Sequence, residues 1–388
     1  MSEWIEYTFA EMLVDGAISY GIVQPGAHVE RDFVPIVRVN NIRAGKIETR
    51  DVLKVTSAIE SQYQRTRLFG GELLITVVGT VGECAVVPES LKGWNVARAI
   101  SVSRIRPEFD KRFVKYCFKL DDVIFQIYGN TNDTVQPTLN LSLLKRLILK
   151  APPLVEQQAI AFALTCLDDK IDLLHRQNQT LEAMAETLFR QWFLESENEG
   201  WNEKPLSSIA NFLNGLACQK YPPANDVDKL PVLKIRELSN GITDSADWAT
   251  SQVKPDYIVE AGDVIFAWSA SLMVKVWDGE RCVLNQHLFK VTSQEFPKWF
   301  YLRWCKHHLA DFIAISASHA TTMGHIKRGD LDAAMVLVPP PAVLDAMSQQ
   351  MTPLLDKQIE IARQRKTLEK LRDTLLPKLM SGEVRVAC

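Results

Sequence analysis

The sequence predicts an α+β protein in which one unit, a β-rich globule followed by a long helix, occurs twice. One observation is a heptad seam over Pro152–Phe193, where apolar residues recur in alternating steps of four and three. A second is that a shift of 187 positions lays this stretch on Pro339–Pro377, with the prolines, an Asp-Lys pair and a Leu-Glu pair in register. A third is that strand-like segments recur in the same order in both halves. We therefore expect a tandem duplication.

The first half begins with residues 1–16, which we interpret as a short helix ending at Asp15-Gly16. Strand-like segments rich in branched residues follow, then a helical pattern over Phe109–Tyr128 and a polar loop over Gly129–Pro137. Pro152 and Pro153 then precede the long helix. The predicted strands lie at Val34–Ile42, Gly70–Val78, Ala85–Val87 and Val96–Val102.

The second half aligns with the first at offsets that drift from 199 to 187, as loop insertions and deletions would produce. The aligned pairs are Tyr7–Gly16 with Leu206–Gly215, Val34–Val39 with Leu230–Ile235, Gly71–Leu74 with Gly262–Ile265, Ala99–Val102 with Leu288–Val291, and Gly129–Pro137 with Ser316–Gly324. We divide the chain into a first globule (1–151), a first long helix (152–195), a second globule (196–338) and a second long helix with its tail (339–388).

The two long helices are expected to form an antiparallel coiled coil with pseudo-twofold symmetry, because a lone helix of roughly 55–60 Å would leave its apolar stripe in water. Centring the helices on each other places Asn178 near Asp356 and Asp169 near Arg365. The predicted seam consists of Ile160, Leu164, Leu167, Ile171, Leu174, Asn178, Leu181 and Leu188 on the first helix, and Met347, Met351, Leu354, Ile361, Arg365, Leu368 and Leu375 on the second.

Composition is ordinary for a globular protein of 388 residues, with 47% hydrophobic and 23% charged residues. No apolar run is long enough for a membrane span, and the start of the sequence lacks a signal pattern, so we expect a cytoplasmic protein. Seven scattered cysteines without a C-x-x-C fit reduced thiols. The net charge of −3 means that any DNA-binding surface must be local or supplied by a partner.

Motifs for catalysis are missing from the sequence. It contains no P-loop, no glycine-rich dinucleotide or S-adenosylmethionine loop, no amino-methyltransferase signature and no Cys/His cluster for a metal. We therefore expect no catalytic residues, no bound metal and no cofactor in this chain.

Duplicated polar segments on two globules favour a partner with two similar, separated features, and duplex DNA is such a partner. Their side chains suit base edges, because Asn and Gln pair with adenine and Arg and Lys with guanine. Solvated turns remain the alternative interpretation. The candidate DNA-binding residues are Arg38, Asn40, Asn41, Arg43, Asn130, Thr131, Asn132, Thr134 and Gln136 in the first half, and Lys234, Arg236, His319, Thr321, Thr322, His325, Lys327 and Arg328 in the second.

The full chain resembles the specificity subunit of type I restriction–modification systems. The most specific segments are PPLVEQQAIAFALTCLDDKIDLLHRQNQTLEAMAETLFRQWF and LEKLRDTLLPKLMSGEV, which are similar to the two helical regions of that family. The order globule, helix, globule, helix is also shared.

The resemblance implies that each globule is a target-recognition domain that reads one half of a bipartite DNA site. It implies that the helices set the gap between the half-sites and dock two methyltransferase subunits, which bind S-adenosylmethionine and methylate adenine N6. Restriction subunits would supply ATP- and Mg-dependent translocation and cleavage. Individual DNA contacts do not transfer, because recognition domains diverge widely.

Two other functions stay open at this stage. A self-sufficient methyltransferase or nuclease would bind its cofactor or metal as the purified chain. A scaffold whose globules bind proteins would give no specific DNA footprint.

Overall fold

The computed structural model describes residues 4–129, 138–197, 199–318 and 324–386. The chain forms two compact units, of which the first is Met1–Asp169 with Leu371–Cys388 and the second is Lys170–Lys370. Each long helix is therefore shared between the units, and does not stand apart from the globules as a segment of its own.

The first unit is built on a four-stranded sheet in the order β2-β10-β7-β8 and a three-stranded sheet in the order β6-β3-β9, with a β1-β11 pair and a β4-β5 hairpin. Its strands are β1 (Ile5–Thr8), β2 (Leu13–Tyr20), β3 (Phe33–Val37), β4 (Ile42–Arg43), β5 (Lys46–Ile47), β6 (Leu53–Thr56), β7 (Leu73–Thr76), β8 (Cys84–Val86), β9 (Asn95–Val96), β10 (Ile100–Ile105) and β11 (Ile148–Ala151). Its helices are α1 (Ser57–Glu60), α2 (Lys111–Cys117), α3 (Asp121–Tyr128), α4 (Leu141–Arg146) and the start of α5 (Leu154–Phe193).

The second unit repeats this plan with sheets in the orders β13-β20-β17-β18 and β15-β14-β19-β16 and a β12-β21 pair. Its strands are β12 (Asn202–Pro205), β13 (Asn211–Asn214), β14 (Lys229–Leu233), β15 (Trp248–Thr250), β16 (Ile258–Val259), β17 (Val264–Ala267), β18 (Met273–Val276), β19 (Cys282–Leu284), β20 (Leu288–Thr292) and β21 (Met335–Val338). Its helices are α6 (Leu206–Ile209), α7 (Ile235–Asn240), α8 (Lys298–His307), α9 (Leu309–Ser318), α10 (Arg328–Ala333) and most of α11 (Pro341–Met380).

A close backbone approach fixes the equivalence of the two units. A Cβ at Gly21 would lie 2.1 Å from the Val96 carbonyl oxygen, and one at Gly215 would lie 2.2 Å from that of Asn285. Both glycines precede a residue in an isolated parallel bridge, Ile22 with Ala97 and Leu216 with Asn285. Only glycine fits where two backbones come this close, so Gly21 and Gly215 are the same position of the repeat.

The alignment predicted for the start of each half is therefore wrong. Gly215 corresponds to Gly21 and not to Gly16, which has a φ of 58° and no comparable contact. The interpretation of residues 1–16 as a helix is also wrong, because β1 and the start of β2 occupy most of it around a short 3-10 turn, Phe9–Met12. Pairing of β1 with β11 and of β2 with β10 overrides the weak helical pattern.

The core of the first unit includes residues from both long helices. Ile160, Ala161 and Leu164 of α5 lie in the same buried cluster as Leu376, Leu379 and Met380 of α11. This cluster continues into α2, α3 and the four-stranded sheet. The unit therefore depends on residues from both ends of the chain.

The two long helices run antiparallel within the second unit. Gln358 donates to Glu182 at 3.1 Å, and Arg365 lies 3.4 Å from His175, so the numbering rises on one helix as it falls on the other. This register places Asn178 opposite Ala362, six residues beyond Asp356. The predicted register is therefore wrong. Asp169 pairs instead with Lys46 at 3.6 Å, and Arg365 with Asp278 at 3.2 Å.

Within the described ranges, no helix combines the length and the apolar character that crossing a membrane requires.

Candidate nucleic-acid interface

In the first unit, an ion pair between Arg38 and Asp51 holds the segment after β3. Arg38 Nη2 donates to the Asp51 carboxylate at 3.1 Å and to the Asp51 carbonyl at 3.0 Å. Asn41 holds this turn, because its Oδ1 accepts from the Arg38 backbone at 2.9 Å and its amide donates to Asp51 at 2.8 Å. At 3% exposure, Asn41 is a structural residue and does not face a ligand as predicted.

Asn40 and Arg43 are exposed on the same segment, as a base-reading role requires. Arg43 Nε donates to the Asn40 carbonyl at 3.2 Å, at the start of the two-residue hairpin turn Ala44-Gly45. Both side chains line a groove of about 740 Å³, and Ala97 and Ala99 also line it.

The second unit repeats the ion pair at the equivalent position. Lys234 Nζ donates to Asp247, as Arg38 does to Asp51 in the first unit. Arg236 is exposed, and it donates to Glu237 at 2.8 Å and to the Ser245 carbonyl at 3.1 Å. Because Asp51 and Asp247 are 87% and 63% exposed, a phosphate can compete with either carboxylate for its cation.

Three predicted residues of the last polar loop are described. His325 is half-buried and forms an isolated bridge with Ser269, while Lys327 and Arg328 are exposed at the start of α10. The remaining predicted loop residues lie outside the described residues: Asn130, Thr131, Asn132, Thr134, Gln136, His319, Thr321 and Thr322.

Trp268, Gln286, His287 and His325 form a half-buried cluster in the second unit, and we call it the Trp268 cluster. The Trp268 ring lies 6.0 Å from that of His287 and 6.3 Å from that of His325. Ser269 Oγ lies 3.2 Å from His287 Nδ1, and Gln286 Nε2 lies 3.4 Å from His287 Nε2. The hydroxyl of buried Ser269 therefore contacts one ring nitrogen of His287, and the Gln286 amide contacts the other.

The sequence analysis did not identify this cluster, because its alignment of Ala99–Val102 with Leu288–Val291 is one residue out of register. Trp268 N donates to the His287 carbonyl at 3.4 Å, and Val77 N donates to the Ala99 carbonyl at 2.9 Å. His287 therefore matches Ala99, whereas the alignment had paired Ala99 with Leu288.

The predicted seam residues are all buried or half-buried. Those buried are Ile160, Leu164, Leu174, Met347, Met351 and Ile361, and those half-buried are Leu167, Ile171, Asn178, Leu181, Leu188, Leu354, Arg365, Leu368 and Leu375. The pattern did not identify Phe189, Phe193 and Leu355, which join the aromatic core of the second unit. These residues are buried by α8 as well as by the other long helix, so a two-helix seam does not describe them.

In each unit, a carboxylate on α5 accepts hydrogen bonds from side chains of the globule. In the first unit Asp168 accepts from Tyr116 at 2.7 Å and from Arg372 at 3.1 Å. Burial raises the pKa of Asp168, but these hydrogen bonds and nearby lysines outweigh it, so the net pKa is lowered.

In the second unit Glu182 takes the same role, accepting from Arg303 at 2.8 and 2.9 Å and from Lys306 at 2.6 Å. Burial raises the pKa of Glu182, but Arg303 and Lys306 outweigh it and lower the pKa to about 2. Arg303 is itself only 6% exposed, so this carboxylate neutralises a buried charge.

Comparison with known proteins gives the family. The family described as "Type I restriction modification DNA specificity domain" matches twice, over residues 26–183 and 198–370. A relative is the type I restriction enzyme MjaIX specificity subunit of Methanocaldococcus jannaschii, 26% identical over 299 residues that cover 71% of this chain and 69% of the relative. The EcoBI specificity subunit of Escherichia coli is 28% identical over 163 residues, 41% of this chain and 34% of the relative.

A solved structure shares the fold. The S subunit of a type I restriction–modification system from M. genitalium superposes with a TM-score of 0.62 at 14% identity, over 97% of this chain and 96% of that one. The two family matches each cover one globule and part of a long helix, as the structural repeat does. The chain belongs to the type I restriction modification DNA specificity family and carries two copies of its domain.

Proposed function

We propose that this chain is the DNA sequence-specificity subunit of a type I restriction–modification complex and has no catalytic activity of its own. Each unit reads one half of a bipartite site, and the long helices set the gap and dock two methyltransferase subunits. The observation that carries the proposal is the twofold family match on a twofold structural repeat. In this proposal the protein acts in the cytoplasm.

The polar edges of the two units support DNA as the ligand. Each edge has a partly exposed cation paired to an exposed carboxylate, and each has a further exposed basic residue beside it, Arg43 in one and Arg236 in the other. Phosphate can replace the carboxylate at such a pair, so DNA can gain contacts there without a strongly basic protein. S-adenosylmethionine, ATP and Mg²⁺ belong to the methyltransferase and restriction subunits.

The test is to co-express the chain with its methyltransferase subunit and to map adenine methylation across genomic DNA. We expect one asymmetric site of two short sequences separated by a fixed gap. Inserting seven residues after Arg176 and seven at the matching Arg363 should change that gap while both half-sequences stay the same.

The matched control is a seven-residue insertion in the exposed loop at Asn225, which should change neither the gap nor the half-sites. Methylation by the chain alone, or binding of S-adenosylmethionine to it, would instead establish a self-sufficient methyltransferase. Complex formation without any specific DNA protection would establish a protein-binding scaffold.

A further inference from the structure

The two units place different side chains at one structurally matched position, on the segment that leads into the central strand. In the first unit Arg98 N donates to the Ile22 carbonyl at 2.9 Å, and in the second Gln286 N donates to the Leu216 carbonyl at 2.8 Å. Ile22 and Leu216 directly follow the matched glycines. Arg98 and Gln286 are therefore equivalent, although the alignment from sequence did not pair them.

The backbone carrying these residues is held by the same hydrogen bonds in both units. Ala97 N donates to the Val37 carbonyl at 2.9 Å and Asn285 N to the Leu233 carbonyl at 3.2 Å. The next turn closes at 3.0 Å from Ile100 to Ala97, and at 2.9 Å from Leu288 to Asn285. A side chain on such a segment is positioned before its ligand arrives, which favours specific recognition.

Arg98 differs from nearby cations in having donors to spare. Arg98 is exposed, and among the described residues it makes neither a hydrogen bond nor an ion pair through its guanidinium. Arg38 and Lys234, by contrast, are each paired with an aspartate. Ala97 and Ala99, on either side of Arg98, line the groove of the first unit, so the backbone of Arg98 lies beside this groove.

Gln286 lies among polar and aromatic side chains of the Trp268 cluster. Its amide meets His287, whose other ring nitrogen lies beside Ser269 Oγ, and Trp268 packs against the imidazole. A glutamine amide offers one donor and one acceptor, which match N7 and N6 of adenine, whereas an arginine offers two donors, which match N7 and O6 of guanine.

We propose that Arg98 and Gln286 are matched specificity-determining residues, Arg98 reading a guanine in the first half-site and Gln286, held by His287, reading an adenine in the second. This inference rests on the proposed function, and it assigns one specificity-determining residue to each unit. The difference in sequence between the half-sites then arises partly from one position of the repeat.

The experiment uses the complex with its methyltransferase subunit and maps methylated sites for three variants. Gln286→Arg should change one adenine of the second half-site to guanine, with about tenfold or greater preference, and should leave the first half-site unchanged. Arg98→Gln should make the reverse change in the first half-site only. Gln294→Arg makes the same substitution at an exposed position that lines a different groove of the second unit, and should change neither.

A thermal unfolding curve for each variant shows whether it folds, and Arg98→Gln decides the question if Gln286→Arg does not. The inference is overturned when folded, active variants keep the wild-type base at every position, or when one substitution alters both half-sites. A wild-type complex that methylates no bipartite site would contradict the proposed function itself, which is a separate result.

Discussion

The first and second units carry different side chains at positions where their backbone contacts match. The strand orders, the glycine contacts and the ion pair at the groove recur, yet Ala99 of the first unit is His287 in the second, and Arg98 is Gln286. Buried apolar positions and backbone hydrogen bonds hold the fold, so the polar positions on this edge are free to change. A duplicated scaffold of this kind can carry two unlike recognition surfaces.

The largest expected effect tests whether the two units are equivalent. We expect Gly21→Ala and Gly215→Ala each to lower the free energy of unfolding by about 3 kcal/mol, because the new Cβ meets a backbone carbonyl that cannot rotate away. Gly329→Ala is the matched control, since a Cβ there meets nothing within 4 Å. Urea denaturation measures all three.

If only one of the Gly21 and Gly215 variants is destabilised, the two positions are not the same point of the repeat. If both behave like Gly329→Ala, the close approach does not constrain the fold.

A smaller effect tests the ion pairs that Glu182 of α5 forms with Arg303 and Lys306 of α8. The depressed pKa of Glu182 stabilises the folded protein above pH 4.5, and this contribution is lost as the pH falls toward about 2. Because the side chain is 37% exposed, we expect about 1 kcal/mol from this group. Urea denaturation between pH 5 and pH 3 should therefore show a steeper loss in the wild type than in Glu182→Gln.

Glu295→Gln removes the same charge from an exposed position of the second unit and should keep the wild-type slope. Equal slopes for Glu182→Gln and the wild type would mean that Asp168 and other acids account for the acid sensitivity.

The smallest effect separates two neighbouring asparagines. Asn41→Ala removes the hydrogen bonds to Arg38 and Asp51 and should cost about 1 kcal/mol of stability without changing the half-site sequence. Asn40→Ala should change stability by less than about 0.5 kcal/mol and weaken recognition of the first half-site. Denaturation and methylation mapping, applied to both variants, give the two readouts. The opposite pattern would reverse the roles assigned to these residues.

The overall plan could be predicted from sequence because it depends on patterns that recur. The existence of the long helices α5 and α11 follows from apolar spacing, and the paired prolines mark where each helix begins. The alignment of Gly71–Leu74 with Gly262–Ile265 is confirmed by the pairing of β7 and β17 with equivalent strands. Each of these features is local or periodic, so it survives without knowledge of tertiary contacts.

The remaining features depend on contacts that a sequence does not display. The helix register follows from anchors such as Glu182 with Arg303, far apart in the chain, and not from the centres of the helices. A one-residue slip hid His287, because the slipped alignment matches Val102 with the identical residue Val291, whereas the structure matches it with Lys290. Asn41 looked like a base reader because its residue type does not reveal that it is 3% exposed.

The division of the chain into units also bears on how the protein is made. The second unit is one continuous stretch, Lys170–Lys370, whereas the first takes in Leu371–Cys388. Because Leu376, Leu379 and Met380 belong to the first unit's core, that core stays incomplete on the ribosome until residues 371–380 have emerged. The unit synthesised first is therefore the last to close, and a nascent chain must keep its exposed apolar surface from aggregating until the final helix emerges.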